Sequence, residues 1–198
     1  MHGVYLLDLV GVFAFAVFGA RKGIRQNFGT FGVLACAFLT ALGGGTIREV
    51  ILHHQPAYFH NYTYLGVVVA ATAAALLTDP VFDKVRRGML VLDAVGLGAF
   101  AYIGAERGAA AGVGLAGMGL FAVLTAVGGG VLADVLCRQR PAVFFQDFYA
   151  LPALLIGALC FSFGHIARDT GVAYLLIAGG CALRVGFLYI RASNIADS

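Results

Sequence analysis

The sequence predicts an all-α integral membrane protein, with seven transmembrane helices set out as two inverted three-helix repeats and a seventh helix. Three observations carry this. Of the 198 residues, 61% are hydrophobic and only 12% charged, more apolar surface than one soluble globule can bury. Apolar runs of roughly 16 to 24 residues recur along the chain, near the ~20 that cross ~30 Å of hydrocarbon as a helix. An offset of 85 residues carries Asp8 onto Asp93, Gly43-Gly44-Gly45 onto Gly128-Gly129-Gly130 and Pro56 onto Pro141 without a gap. At that offset nine of sixteen positions from Asp8 to Gly23 are identical, and eight of fourteen from Ala37 to Val50, against about one in ten by chance. The chain is an internal duplication.

The first span runs from Val4 to Ala20. Its start, Met1-His2-Gly3-Val4, lacks a basic n-region, and Asp8 interrupts the apolar stretch, so it is expected as a retained span rather than a cleaved signal. The others are Gly29 to Leu52, Tyr62 to Thr78, Met89 to Gly104, Val113 to Cys137, Phe148 to His165 and Gly171 to Ile190. Residues 1–85 form the first repeat, 86–170 the second, and 171–198 the seventh helix with a short tail. Three spans per repeat is an odd number, so the second repeat enters the membrane upside down relative to the first. Such inverted repeats characterise proteins that move something through the bilayer.

Arg21, Lys22 and Arg25 follow span one; Lys84, Arg86 and Arg87 follow span three; Arg138 and Arg140 follow span five; Arg191 follows span seven. All fall on one side. The other side has Arg107 and Arg168, with Arg48 near the end of span two, so the positive-inside rule places the richer side in the cytoplasm, the N-terminus outside and the C-terminus inside.

Spans two and five each contain three consecutive glycines, and each Gly costs a helix about 1 kcal/mol relative to Ala. A helix broken or kinked there is tolerated only where it lines a wet cavity or is covered by protein, and freed carbonyls can replace part of a cation's hydration shell. Gly43, Gly44, Gly45, Gly128, Gly129 and Gly130 are therefore candidate pathway residues. The alternative is that they let two helices approach closely, as small residues do in membranes. Thr40 and Thr125 lie one turn earlier, where a hydroxyl either bonds back to a carbonyl or faces the pathway.

Ionisable groups inside spans are costly and face protein or a cavity. Asp8, Arg48 and Glu49 share the outer half on this topology, and Asp93, Asp134 and Arg184 the inner half. Arg48 maps onto Ala133 in the second repeat, so Arg184 of the unpaired seventh helix is expected to supply the missing guanidinium; the alternative is that it snorkels to the headgroups.

Other residues point to less. Cys36, Cys137, Cys160 and Cys181 have no metal-type spacing and read as small buried thiols. His53, His54 and His60 read as surface histidines, since the adjacent pair diverges on a helix and no third metal ligand has sensible spacing. Tyr58, Phe59, Tyr62 and Tyr64, like Phe144, Phe145, Phe148 and Tyr149, look like interfacial aromatic belts. The net charge of +3 comes with no basic-aromatic block for nucleic acid. An enzyme would need a nucleophile with a base, a metal cluster or a cofactor motif; the acids are dispersed and the triplets lack the Lys-Ser/Thr of a phosphate loop. No cofactor is expected.

Phe15 to Gly23, the block Leu39-Thr40-Ala41-Leu42-Gly43-Gly44-Gly45-Thr46-Ile47-Arg48-Glu49, Asp93 to Phe100, and Leu124-Thr125-Ala126-Val127-Gly128-Gly129-Gly130 resemble the prokaryotic members of the trimeric intracellular cation (TRIC) channel family. The resemblance covers essentially the whole chain. It implies a homotrimer of seven-helix protomers in the plasma (inner) membrane, each with an hourglass pore kinked at the two triplets, passing K⁺ and, with less preference, Na⁺, and binding no other metal. Many relatives carry Arg-Asp after both triplets, whereas this chain has Arg48-Glu49 and Ala133-Asp134. Voltage gating and phosphoinositide control, known of animal members, are not carried over. Inverted repeats with broken helices equally describe a secondary transporter of a small solute such as glycine, and saturable uptake with counterflow would mark that alternative.

Overall fold

The computed structural model describes residues 2–78, 86–145, 148–164, 166 and 169–196, and among these the chain is helical with no strand. The elements are α1 (His2–Arg25), α2 (Thr30–Ile51), a 3-10 turn (Ala57–Phe59), α3 (Thr63–Leu77), α4 (Arg86–Ala110), α5 (Leu115–Leu136), the single turn α6 (Ala142–Phe145), α7 (Leu151–Phe163) and α8 (Thr170–Ala196). At the 85-residue offset α1 corresponds to α4, α2 to α5 and α3 to α7, while α8 has no counterpart. Lys84, His165 and Arg168, named above in loops or at a span end, lie outside the described residues.

Each of the seven longer helices overlaps a predicted span, but α1, α4 and α8 run further. α1 continues through Arg21, Lys22 and Arg25, which are therefore helical and not loop residues, and Arg21 is buried. Cations in a last turn complement the partial negative charge of a helix C-terminus. Two helices, α2 and α5, are each 22 residues and apolar, about 33 Å at 1.5 Å per residue. α3 and α7, with 15 and 13 residues, reach only about 22 and 20 Å.

The chief correction concerns the glycines. α2 and α5 are continuous through both triplets, so the backbone is not broken there and frees no carbonyls. Instead the two helices cross on the triplets. A Cβ on Gly44 would collide with the Thr125 carbonyl oxygen, and one on Gly129 with that of Thr40. A Cβ on Gly43 would lie 3.3 Å from the Gly129 Cα, and one on Gly128 3.3 Å from the Gly44 Cα. Small residues permit this backbone approach, and the tertiary contact outweighs their poor helix propensity.

The same reciprocity recurs where α1 crosses α4. Phe15 lies on Gly96 and Phe100 on Gly11, and the two rings meet edge to face with centroids 5.1 Å apart. Gly19 of α1 abuts Thr40 of α2, and Gly104 of α4 abuts Thr125 of α5. Each of these contacts thus has a partner contact 85 residues on. The helix ends repeat too. Gly29 and Gly114 are the N-caps of α2 and α5. Beyond the C-caps, His53 and Arg138 are left-handed with φ 57° and 53°. His54 then donates its N–H to the Glu49 carbonyl, and Gln139 to that of Asp134, both at 2.8 Å. These are Schellman stops.

Candidate functional site

Asp8 and Lys22 stand at opposite ends of α1, 14 residues and so about 21 Å apart, and each lines a pocket. The pocket at the Asp8 end has about 50 Å³ of space and is bordered by Arg48, Glu49, Tyr64, Gly45 and Thr125. The pocket at the Lys22 end has about 440 Å³ and is bordered by Asp93, Asp134, Tyr149, Arg184 and Gly130. The crossing of α2 and α5 lies between them. In each triplet the first two glycines make the crossing and the third, Gly45 or Gly130, faces a pocket.

In the smaller pocket Arg48 chelates its neighbour Glu49, with Nη2 at 2.6 Å and Nε at 3.0 Å from Oε1. Its Nη1 donates to Thr125 Oγ1 at 3.3 Å, tying the end of α2 to α5. The Tyr64 hydroxyl donates to Asp8 Oδ2 at 2.5 Å. His54 Nδ1 is 3.5 Å from Glu49 Oε2; His53, His54 and His60 are all exposed.

In the larger pocket the Tyr149 hydroxyl donates to Asp93 Oδ1 at 3.0 Å. Arg184 of α8 places Nη2 3.5 Å from Asp93 Oδ2 and its guanidinium carbon 4.0 Å from the centre of the Tyr149 ring, a cation–π contact. At 3% exposure Arg184 is buried and does not snorkel. It does join the expected cluster, but its acid is Asp93. Asp134 is held by Lys22, at 2.5 Å from Nζ to Oδ1, and by the Ala142 N–H at 3.2 Å. Lys22, Arg25, Arg140 and Arg184 outnumber Asp93 and Asp134 around this pocket, so its walls carry net positive charge.

Thr40 and Thr125 both bond back to the carbonyl one turn earlier, to Cys36 and Phe121, each at 2.7 Å. Thr125 also borders the smaller pocket, whereas Thr40 is buried under Gly19. Two expectations need correcting: Tyr64 and Tyr149 are not belt residues but are 8% and 9% exposed and cap the carboxylates. They are 85 apart, so the duplication itself carried the signal. Lys22 was missed as a pocket residue because it was placed in a loop. Phe59, Tyr62, Phe144, Phe145 and Phe148 remain exposed, as a belt requires.

A family model described as Glycine transporter matches residues 5–80 and again 90–165. A UPF0126 membrane protein of Deinococcus radiodurans is 34% identical over 155 residues, covering 77% of this chain and 72% of the relative. The UPF0126 inner membrane protein YadS of Escherichia coli K12 is 38% identical over 156 residues, covering 78% and 75%. Among solved structures, a prokaryotic TRIC channel in 0.5 M KCl matches with TM-score 0.88 and 27% identity, over 95% of this chain and 96% of that one. A structure described for conductance through TRIC cation channels matches with TM-score 0.87 and 30% identity, over 94% and 93%. The TRIC orthologue from Rhodobacter sphaeroides matches with TM-score 0.81 and 30% identity, over 96% and 99%.

Proposed function

Because the chain belongs to the UPF0126 membrane-protein family matched by the glycine-transporter model, and is similar over nearly its whole length to TRIC cation channels, we propose that it conducts monovalent cations passively across a membrane. The pore runs inside each protomer, K⁺ is the main ion, and Na⁺ passes less well. One observation carries the reading: two pockets lined by paired charges stand at opposite ends of α1, with the packed glycine crossing between them.

In this arrangement the path is shut. Every pocket carboxylate already has a partner: Glu49 has Arg48, Asp8 has Tyr64, Asp93 has Arg184 and Tyr149, and Asp134 has Lys22. A cation enters when Lys22 and Arg184 swing away from Asp134 and Asp93, exchanging fixed positive charge for a mobile one at the same acids. The glycines permit that motion. With no Cβ at three successive positions, α2 and α5 bend and slide with little steric resistance, and bending exposes carbonyls that stand in for water around the ion.

Reciprocal contacts supported this reading further, since a two-fold relation generates them. On it the chain has seven spans, residues 1–85 and 86–170 are inverted repeats, and α8 completes the second mouth by supplying Arg184. The richer basic end faces the cytoplasm, placing the 440 Å³ pocket inside, with the N-terminus outside in the inner membrane. Three protomers assemble, as in the trimeric intracellular cation channel orthologue from Rhodobacter sphaeroides.

The second reading is a secondary transporter of a small zwitterion, favoured by the description of the matching family model. Purified protein in planar bilayers under a KCl gradient decides. Unitary, ohmic currents reversing near the K⁺ potential support the channel; absence of current, with saturable glycine counterflow in liposomes, supports the carrier.

A further inference from the structure

Cys36 and Cys137 do not correspond at the 85-residue offset, and nothing in their sequence spacing of 101 pairs them. The fold brings them together. Cys36 lies in α2 and Cys137 caps the C-terminus of α5; their sulfurs are 3.6 Å apart and both residues are buried. Bonded sulfurs stand ~2.05 Å apart, so closure needs an approach of about 1.5 Å. The pair is enclosed on one side by α1, where a Cβ on Gly23 would lie 3.4 Å from the Cys36 sulfur. On the other side the chain emerges at once, since Arg138 and Gln139 are exposed.

We propose that Cys36 and Cys137 form a reversible intramolecular disulfide when a peroxide reaches the Lys22 end of the protein. The two thiols lose two protons and two electrons, one S–S bond forms, the O–O bond of hydrogen peroxide breaks, and two waters leave. A small uncharged oxidant suits an entry beside Cys137, at a helix end and not within the packed crossing. The bond ties α2 to α5 one turn beyond Asp134, the acid held by Lys22, so it fixes the C-terminal end of α5 to the N-terminal part of α2. Cys160 and Cys181 have no sulfur partner among the described contacts and take no part.

The test counts thiols in the full-length protein in detergent. Untreated protein, denatured and alkylated with N-ethylmaleimide, is expected to gain four adducts, one for each free cysteine. After hydrogen peroxide it is expected to gain two, with peptides containing Cys36 and Cys137 linked, and dithiothreitol is expected to restore four. Cys160→Ala/Cys181→Ala is expected to go from two adducts to none, which keeps the test independent of whether Cys36→Ser or Cys137→Ser folds. Four adducts after peroxide, a sulfinic acid on either cysteine without linkage, or a bridge between other cysteines or between chains would overturn the proposal.

Discussion

Adjacent glycines of one triplet are expected to respond to alanine with opposite signs. At Gly44 the new methyl meets the backbone carbonyl of Thr125, and the Leu124 carbonyl oxygen 2.8 Å away. Backbone cannot turn aside as a side chain can, so α2 and α5 must separate. Overpacking of this kind costs about 1–3 kcal/mol, partly offset by the ~1 kcal/mol that Ala gains over Gly in a helix, a net loss of up to about 2 kcal/mol. At Gly45 the only neighbour within 4 Å is the Arg48 Nη2 at 3.8 Å. There the helix-propensity gain stands alone, and Gly45→Ala is expected to stabilise by up to ~1 kcal/mol. Gly129→Ala and Gly130→Ala repeat the contrast, since Gly129 faces the Thr40 carbonyl and Gly130 has nothing within 4 Å. Thermal unfolding in detergent resolves the pairs, because 1 kcal/mol moves a chain of this size by about 2–4 °C. If Gly44→Ala proved as stable as Gly45→Ala, the crossing would not be held by the close approach described, and the reasoning would fail.

Arg184→Ala is expected to destabilise by about 3–5 kcal/mol, the cost of leaving the buried Asp93 carboxylate without its cation; adding Asp93→Asn is expected to recover much of that in the same melting assay. Tyr149→Phe and Tyr64→Phe each remove a hydrogen bond to a carboxylate and are expected to cost about 1.5–3 kcal/mol, with matching losses because the sites correspond; a change at only one would break the pseudo-symmetry. Lys22→Met removes the cation that holds Asp134 and is expected to raise open probability in bilayer recordings, whereas an unchanged value would separate that ion pair from gating.

Much of this was legible in the sequence because the duplication has no gap: one register fixed the correspondence of α1 with α4 and α2 with α5, and the apolar runs located α2 and α3 to within a residue. The role of the triplets was harder. Propensity says only that three glycines weaken a helix, and whether the backbone then opens or receives another helix depends on what packs there, here the carbonyls of Thr40 and Thr125. Arg184 was placed in the right cluster by a vacancy at Ala133, yet its acid is Asp93 because Lys22, on a helix one turn longer than its apolar run, reaches Asp134 first. Tyr64 and Tyr149 illustrate a different loss. Their surroundings are aromatic and interfacial, which masked a correspondence the offset already displayed.

The most direct test of a path through the protomer is the unitary K⁺ current of Gly130→Cys before and after a positively charged methanethiosulfonate reagent. Gly130 borders the larger pocket and has room for a side chain, so attaching a cation there is expected to abolish most of the current while leaving the unsubstituted protein unaffected. Full modification by mass with an unchanged current would contradict a pore that runs through that pocket.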